Sequence, residues 1–228
     1  MPVTIAFISQ KGGVGKSTLA RALAAVAARA KLKVRVADLD VQQATTERWG
    51  RARKENRVSP AIKIDSYPTV SEALDRASGD DLLIVDTPGH VSVETLDVAR
   101  AATLVVQPTG PSLDDLHPAA LVFHALAQSG ISQSKLVFAL CRTGTIDEEA
   151  AARDYLVKTG FAVLPGSIPE RTEYRQALNQ GKALTETDQS ALNERADRLL
   201  ESLLDRIAAE LDVSSSLGVS PQKSEGAA

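Results

Sequence analysis

The sequence predicts an α/β fold, a doubly wound and mostly parallel sheet with helices on both faces. Three observations carry this. Apolar, β-rich runs alternate with helical stretches along nearly the whole chain, the order that parallel strands with crossover helices require. Two runs, Leu82-Leu83-Ile84-Val85 and Thr103-Leu104-Val105-Val106, are continuous, as strands covered on both faces should be. A glycine-rich turn joins the first strand pattern to the first helix pattern.

The strands are expected at 3–8, 33–37, 62–65, 82–85, 103–106, 135–140 and 161–164. The first rests on Val3, Ile5, Phe7 and Ile8. The first helix, 17–30, follows with Leu19, Leu23, Val26 and Ala30 at helical spacing. Further helices fill 43–56, 69–77, 92–100, 112–128, 147–159 and 171–179, with a long last one near 189–212. In that last helix Leu199, Leu200, Leu203, Leu204, Ile207 and Leu211 share a face. Its polar residues include six acids against three arginines. An acidic helix is repelled by anionic lipid, so packing rather than membrane binding is expected. Apolar periodicity ends near Ser214, and 214–228 reads as a disordered tail behind a single domain, 1–213.

Composition narrows the function classes. The 228 residues suffice for one substantial core. No apolar run is long enough to span a bilayer, and no leader precedes the first strand pattern. The single cysteine, Cys141, excludes an internal disulfide and suits a reducing, cytoplasmic setting. A net charge of −3 means that any nucleic-acid binding must come from a local basic patch. Aromatic residues at 4% leave few rings for stacking on bases, which argues against sequence-specific single-strand recognition.

The chemistry concentrates in Gln10-Lys11-Gly12-Gly13-Val14-Gly15-Lys16-Ser17-Thr18. A glycine-rich turn between strand and helix points successive N–H groups into one concavity at the positive end of a helix dipole, the geometry for a polyphosphate. Gly12, Gly13, Val14, Gly15 and Thr18 supply the cradle. Lys16 would reach the β/γ-phosphates and Ser17 would ligate Mg²⁺, as in G-x-x-x-x-G-K-[ST]. The first glycine of that pattern is Gln10 here, and a second lysine, Lys11, precedes the glycine pair. Asp38-Leu39-Asp40 and Asp86 follow strands, at the carboxyl ends where a nucleotide site lies in this fold. With Ser17, Asp38 and Asp86 are candidate metal residues, and Asp86 is placed for the Walker B role. Capping of a helix or loop is the alternative for Asp86 and Asp40.

Lys-Gly-Gly-x-Gly-Lys-[Ser/Thr] resembles the deviant Walker A of the ParA/MinD family of ATPases, and the nearest likeness is to small plasmid-type ParA partition proteins. The resemblance implies that Lys11 reaches across an ATP-dependent homodimer to the partner's nucleotide. Asp38-x-Asp40-x-Gln42 is similar to the family's D-x-D-P-Q element, with Val41 in place of proline, which implies that Asp40 positions the attacking water. Trp49 also resembles that group. Adenine contacts are implied at the end of the sixth strand and before the 171 helix, here Arg142, Pro169 and Glu170. Asp86-Thr87-Pro88-Gly89-His90 matches a GTPase switch, yet no Asn-Lys-x-Asp guanine reader occurs. His90 is expected to be a surface or switch residue instead. Iron–sulphur relatives need paired cysteines, which one Cys141 cannot supply.

Ile168-Pro169-Glu170-Arg171-Thr172-Glu173-Tyr174-Arg175 resembles a ParA segment whose arginines contact DNA phosphates. Arg171 and Arg175, four apart, would share a helix face with Lys182 close behind. Such a patch binds duplex backbone without reading sequence. The competing reading is a solvated face with Arg175 paired to Glu170 or Glu173. The resemblance implies a slow, partner-stimulated, nucleoid-associated ATPase using ATP and Mg²⁺. Its partners would be a second copy, non-specific double-stranded DNA and a ParB-like or ribbon-helix-helix adaptor. Plasmid or chromosome partition, or positioning of another cargo, would be its task. Recruitment of DNA to a conjugation or secretion apparatus and MinD-like positioning are the alternatives.

Overall fold

The computed structural model describes residues 2–89 and 93–216. In chain order the first half comprises β1 (Val3–Phe7), α1 (Lys16–Arg29), β2 (Val34–Asp38), α2 (Thr45–Glu55), β3 (Lys63–Ser66), α3 (Val70–Arg76), β4 (Leu82–Asp86) and α4 (Val93–Ala101). There follow β5 (Leu104–Thr109), α5 (Leu113–Gln128), β6 (Leu136–Thr143), α6 (Ile146–Val157), β7 (Ala162–Val163), β8 (Ile168–Pro169), α7 (Thr172–Asn179) and α8 (Ser190–Ser216). The strands lie in the order β3-β2-β4-β1-β5-β6-β7, with β8 also paired to β6. Every pairing is parallel, so the expected doubly wound sheet is present.

The order reverses about β1. From β1 the chain moves outward through β2 and β3, returns at β4, and then crosses to β5 on the other side. The crevice at the carboxyl end of β1 is therefore the switch point where ligands of open α/β sheets bind. Register aligns the strand ends there, Phe7 opposite Asp86 and Asp38 opposite Asp86.

Alternation along the central strands builds two layers. Ile5, Val36, Ile84 and Val106 face α1 and α8, where Leu19, Leu23, Leu199, Leu200 and Leu203 bury against them. Ala6, Leu83, Val105 and Phe138 face the opposite layer, with Leu116, Phe123 and Leu156. Each fully buried Leu or Phe contributes about 1.5–3 kcal/mol. The leucine face of α8 is thus spent on the core, as its acidic polar side led us to expect. A third cluster joins Ala25 of α1, Trp49 of α2 and Ala183.

Several boundaries differ from expectation. β5 runs to Thr109 rather than 106 and β6 to Thr143 rather than 140, with an irregularity between Cys141 and Thr143 where Arg142 takes φ 57°. The two-residue β8 carries no periodicity and includes a proline, so nothing in its sequence marks a strand. Helix α8 continues through Ser216, replacing the start of the expected tail; residues 217–228 and His90 lie outside the described residues.

Candidate functional site

The turn after β1 delivers α1 to the switch point. Gly15 is the N-cap of α1, at φ 116° and ψ 7°. A Cβ there would also lie 3.1 Å from Cys141 Sγ, so both backbone and space require glycine. No side chain caps α1, which leaves its first N–H groups for an anion. Lys16 is only 7% exposed, and its Nζ donates to the Lys11 carbonyl at 3.2 Å. Burial lowers its pKa, against the attraction of Asp86 and Asp40. Lys11 extends the other way, its Nζ 2.8 Å from Asp115 Oδ1 on α5.

The carboxylates divide into distinct roles. Asp86 is buried; its Oδ2 accepts from Thr46 Oγ1 at 2.7 Å, and among the described residues its Oδ1 has no hydrogen-bond partner. Burial pushes its pKa up to about 6, opposed by the Thr46 and Ser17 hydroxyls and by Arg21, and assisted by Asp38. Asp38 is fully buried, and both of its oxygens are engaged. Oδ1 accepts from the Asp40 N–H at 3.0 Å, and Oδ2 from the N–H groups of Thr46 and Glu47 at 2.9 and 3.3 Å. Asp38, expected as a metal candidate, instead has its oxygens taken up by backbone N–H groups and caps the first turn of α2. Asp40 is half-buried and accepts from the Gln43 N–H at 3.1 Å.

Among the described residues no group of three or more His, Cys, Asp or Glu could hold a metal. The chain instead offers the orphaned Asp86 Oδ1 and the Ser17 hydroxyl, leaving other positions for phosphate and water. That donor set suits Mg²⁺, which keeps several waters and takes one or two protein ligands beside phosphate.

A family model described as the CobQ/CobB/MinD/ParA nucleotide binding domain matches residues 5–185. The chain belongs to this family. Over 215 residues it is 29% identical to the maintenance of carboxysome distribution protein A of Gloeobacter kilaueensis, covering 92% of this chain and 94% of that protein. Its fold matches apo McdA of Cyanothece with a TM-score of 0.71 at 20% identity, over 89% of this chain and all of that one. It matches the septum site-determining protein MinD of Pyrococcus horikoshii, complexed with Mg-ADP, with a TM-score of 0.72 at 17% identity. That likeness covers 92% of this chain and 99% of the other.

In this ParA/MinD-family ATPase several site residues lacked any local sequence signal. Thr46 and Arg21 link Asp86 to two helices, since Arg21 Nε donates to Thr46 Oγ1 at 3.1 Å. Arg21 stands four residues after Ser17, one turn along α1, which is the one hint available. Arg142 and Glu170 do meet at the ends of β6 and β8, 3.5 Å apart, with Pro169 buried between Ile168 and Glu170. Cys141 under Gly15 places this group beside the loop.

The expected basic patch is not assembled as anticipated. Arg171 precedes α7 as its extended N-cap, at φ −137°, so it does not share a helix face with Arg175. Arg175 pairs with Glu170 at 3.1 Å and Lys182 with Asp188 at 2.8 Å. The solvated-face reading describes Arg175 better.

The raised pKa of Asp86 makes a pH prediction. A carboxyl raised on folding from 3.8 to about 6 contributes stability below about pH 4 that is lost as pH rises through about 6. The difference corresponds to about 3 kcal/mol. Asp86→Asn should therefore melt above wild type at pH 8 without nucleotide, and the gap should close near pH 4. Calorimetry of both proteins across that range is the check; an equal or lower melting point at pH 8 would remove the inferred burden.

Proposed function

We propose that this ATPase is a nucleotide-switched positioning protein. In that reading the 12–18 backbone and Lys16 hold the phosphates of ATP, and Ser17 and Asp86 hold Mg²⁺. Asp40 orients the attacking water, and Lys11 completes the site of a second copy. When bound, Mg²⁺ would neutralise phosphate charge. The ATP dimer binds duplex DNA without sequence preference, and an adaptor on the cargo stimulates otherwise slow hydrolysis. Arg142, Pro169 and Glu170 stand where adenine would rest.

The observation that carries the reading is the loop itself: Lys16 is buried against the loop while the Lys11 side chain is 43% exposed, its one ion pair among the described residues being with Asp115. One lysine is built to serve its own site, and the other can be released outward. Likeness to a carboxysome distribution protein over nearly both chains supports a large protein assembly as cargo.

The test is sizing with ATP and Mg²⁺. Asp40→Ala should slow hydrolysis at least about a hundredfold and accumulate as dimer, because a lost water-positioning carboxylate affects turnover more than binding. Lys11→Ala should bind nucleotide yet remain monomeric. Asp40→Ala eluting only as monomer would overturn the reading.

A further inference from the structure

With Arg175 and Lys182 in ion pairs, Arg171 is the one cation of the expected patch that has no ion pair among the described residues. Helix α2 and the turn after it carry Arg48, Arg51, Arg53, Lys54 and Arg57 against Glu47 and Glu55, a surplus of three on a chain whose net charge is −3. Arg53 is buried on Glu186, and Arg51 pairs with Glu47 at 2.8 Å. Arg48, Lys54 and Arg57 are exposed, and among the described residues no carboxylate lies within ion-pair distance of any of them. Arg51, Lys54 and Arg57 line a cleft of about 500 Å³ whose other wall includes Val58, Ile62 and Ile64. Glu47 also lines this cleft, but it is paired to Arg51, so the cleft keeps a positive surplus that focuses its field on an approaching polyanion.

The same helix is tied to the nucleotide site. Its first turn donates to Asp38 and, through Thr46 Oγ1, to Asp86. A cation on Asp86 Oδ1 would draw charge from the carboxylate that Thr46 bonds through Oδ2, so the first turn of the helix and the site share one group.

We propose that the exposed cations of α2 and the turn after it, Arg48, Lys54 and Arg57, form the phosphate-binding surface for duplex DNA, coupled to the nucleotide site through Thr46. This rests on the DNA-binding reading above and replaces the surface at Arg171, Arg175 and Lys182. Phosphate contacts carry no base information, so binding is uniform across sequences and steeply salt-dependent. Rise along the helix separates Arg48 from Lys54 by about 9 Å, enough for neighbouring phosphates of a strand.

The experiment measures binding of 30-base-pair duplexes of unrelated sequence by full-length protein with ATP, ADP or no nucleotide, at several salt concentrations. Three proteins are compared: wild type, Arg48→Ala/Lys54→Ala/Arg57→Asn, and Arg171→Ala/Arg175→Ala. Asparagine is chosen at 57 because Arg57 holds φ 53°, which asparagine tolerates. The α2 variant should bind every duplex about ten- to a hundredfold more weakly. Its log–log salt slope should be smaller by about one for each phosphate no longer neutralised in each subunit. The Arg171/Arg175 variant should bind within about threefold of wild type. Weakening confined to the Arg171/Arg175 variant overturns the α2 surface while leaving DNA binding intact. A wild type that ignores DNA in ATP overturns both. Single substitutions at 48 and 54, with melting temperatures alongside, separate weakened binding from damaged folding.

Discussion

Lys16→Ala is expected to lower ATP affinity at least about a hundredfold, because a buried charged hydrogen-bond donor removed from its anion costs about 3–5 kcal/mol. The cost falls on binding and not on the fold. Burial depresses the Lys16 pKa, so the folded state already holds that charge at a disadvantage. The apoprotein should therefore melt no lower than wild type, with any gain largest below the depressed pKa, where the lysine is charged. With ATP the balance reverses: Asp86 and Asp40 would then face phosphate without an ammonium between them. Titration calorimetry with ATP and Mg²⁺ reads this directly, with Lys11→Ala as the contrast. Lys11→Ala should retain affinity within about threefold. Equal losses in the two variants would make Lys11 an ordinary loop residue.

The second large effect is structural. Gly181→Ala should destabilise the protein by at least about 3 kcal/mol. The residue sits at φ 74°, where a side chain is strained, and an added Cβ would fall inside contact distance of Arg53 N and Cα and 2.7 Å from Ala52 C. Those are backbone atoms of α2 and cannot rotate aside. Nor can the helix retreat without breaking Arg53 Nη1 to the Gly181 carbonyl at 3.0 Å and the paired bonds of Arg53 to Glu186 at 2.7 and 2.9 Å. Gly160→Ala is the control: φ is 87° but nothing lies near, so about 1 kcal/mol is expected. Denaturant melts that find the two variants equally mild would show that α2 has room to move.

Why the loop and the strands were readable while the second tier of the site was not follows from distance along the chain. Gly12–Thr18 is a local device, and its meaning is complete within one turn. Asp38 and Asp86 declare themselves by ending apolar runs, and register then sets them side by side. What Asp38 does there depends on Thr46 and Glu47 turning their N–H groups toward it, which no spacing reveals. Thr46 and Asp86 are 40 residues apart, Lys11 and Asp115 104, and Arg53 and Glu186 133. Each pair exists because a crossover helix returns the chain to the same end of the sheet. The shared helix face expected of Arg171 and Arg175 is absent for a different reason. Moving the start of α7 by one residue, from 171 to 172, turns Arg171 from a helix-face residue into a cap, and helix ends are the least determined part of any sequence reading. The pairing of Arg175 with Glu170 was legible, since both lie in one short segment.

The lone tryptophan of this chain, Trp49, is 3% exposed, with the Arg21 and Arg53 guanidiniums over its ring at 5.8 and 5.3 Å. Its indole N–H donates to the Lys182 carbonyl at 3.0 Å. Positive charge against one part of an indole shifts its emission wavelength, and Arg21 is the residue that holds Thr46. The protein therefore carries its own fluorophore at the joint between α1 and α2. Any change at that joint when ATP is added can be timed by stopped-flow emission, with no label attached.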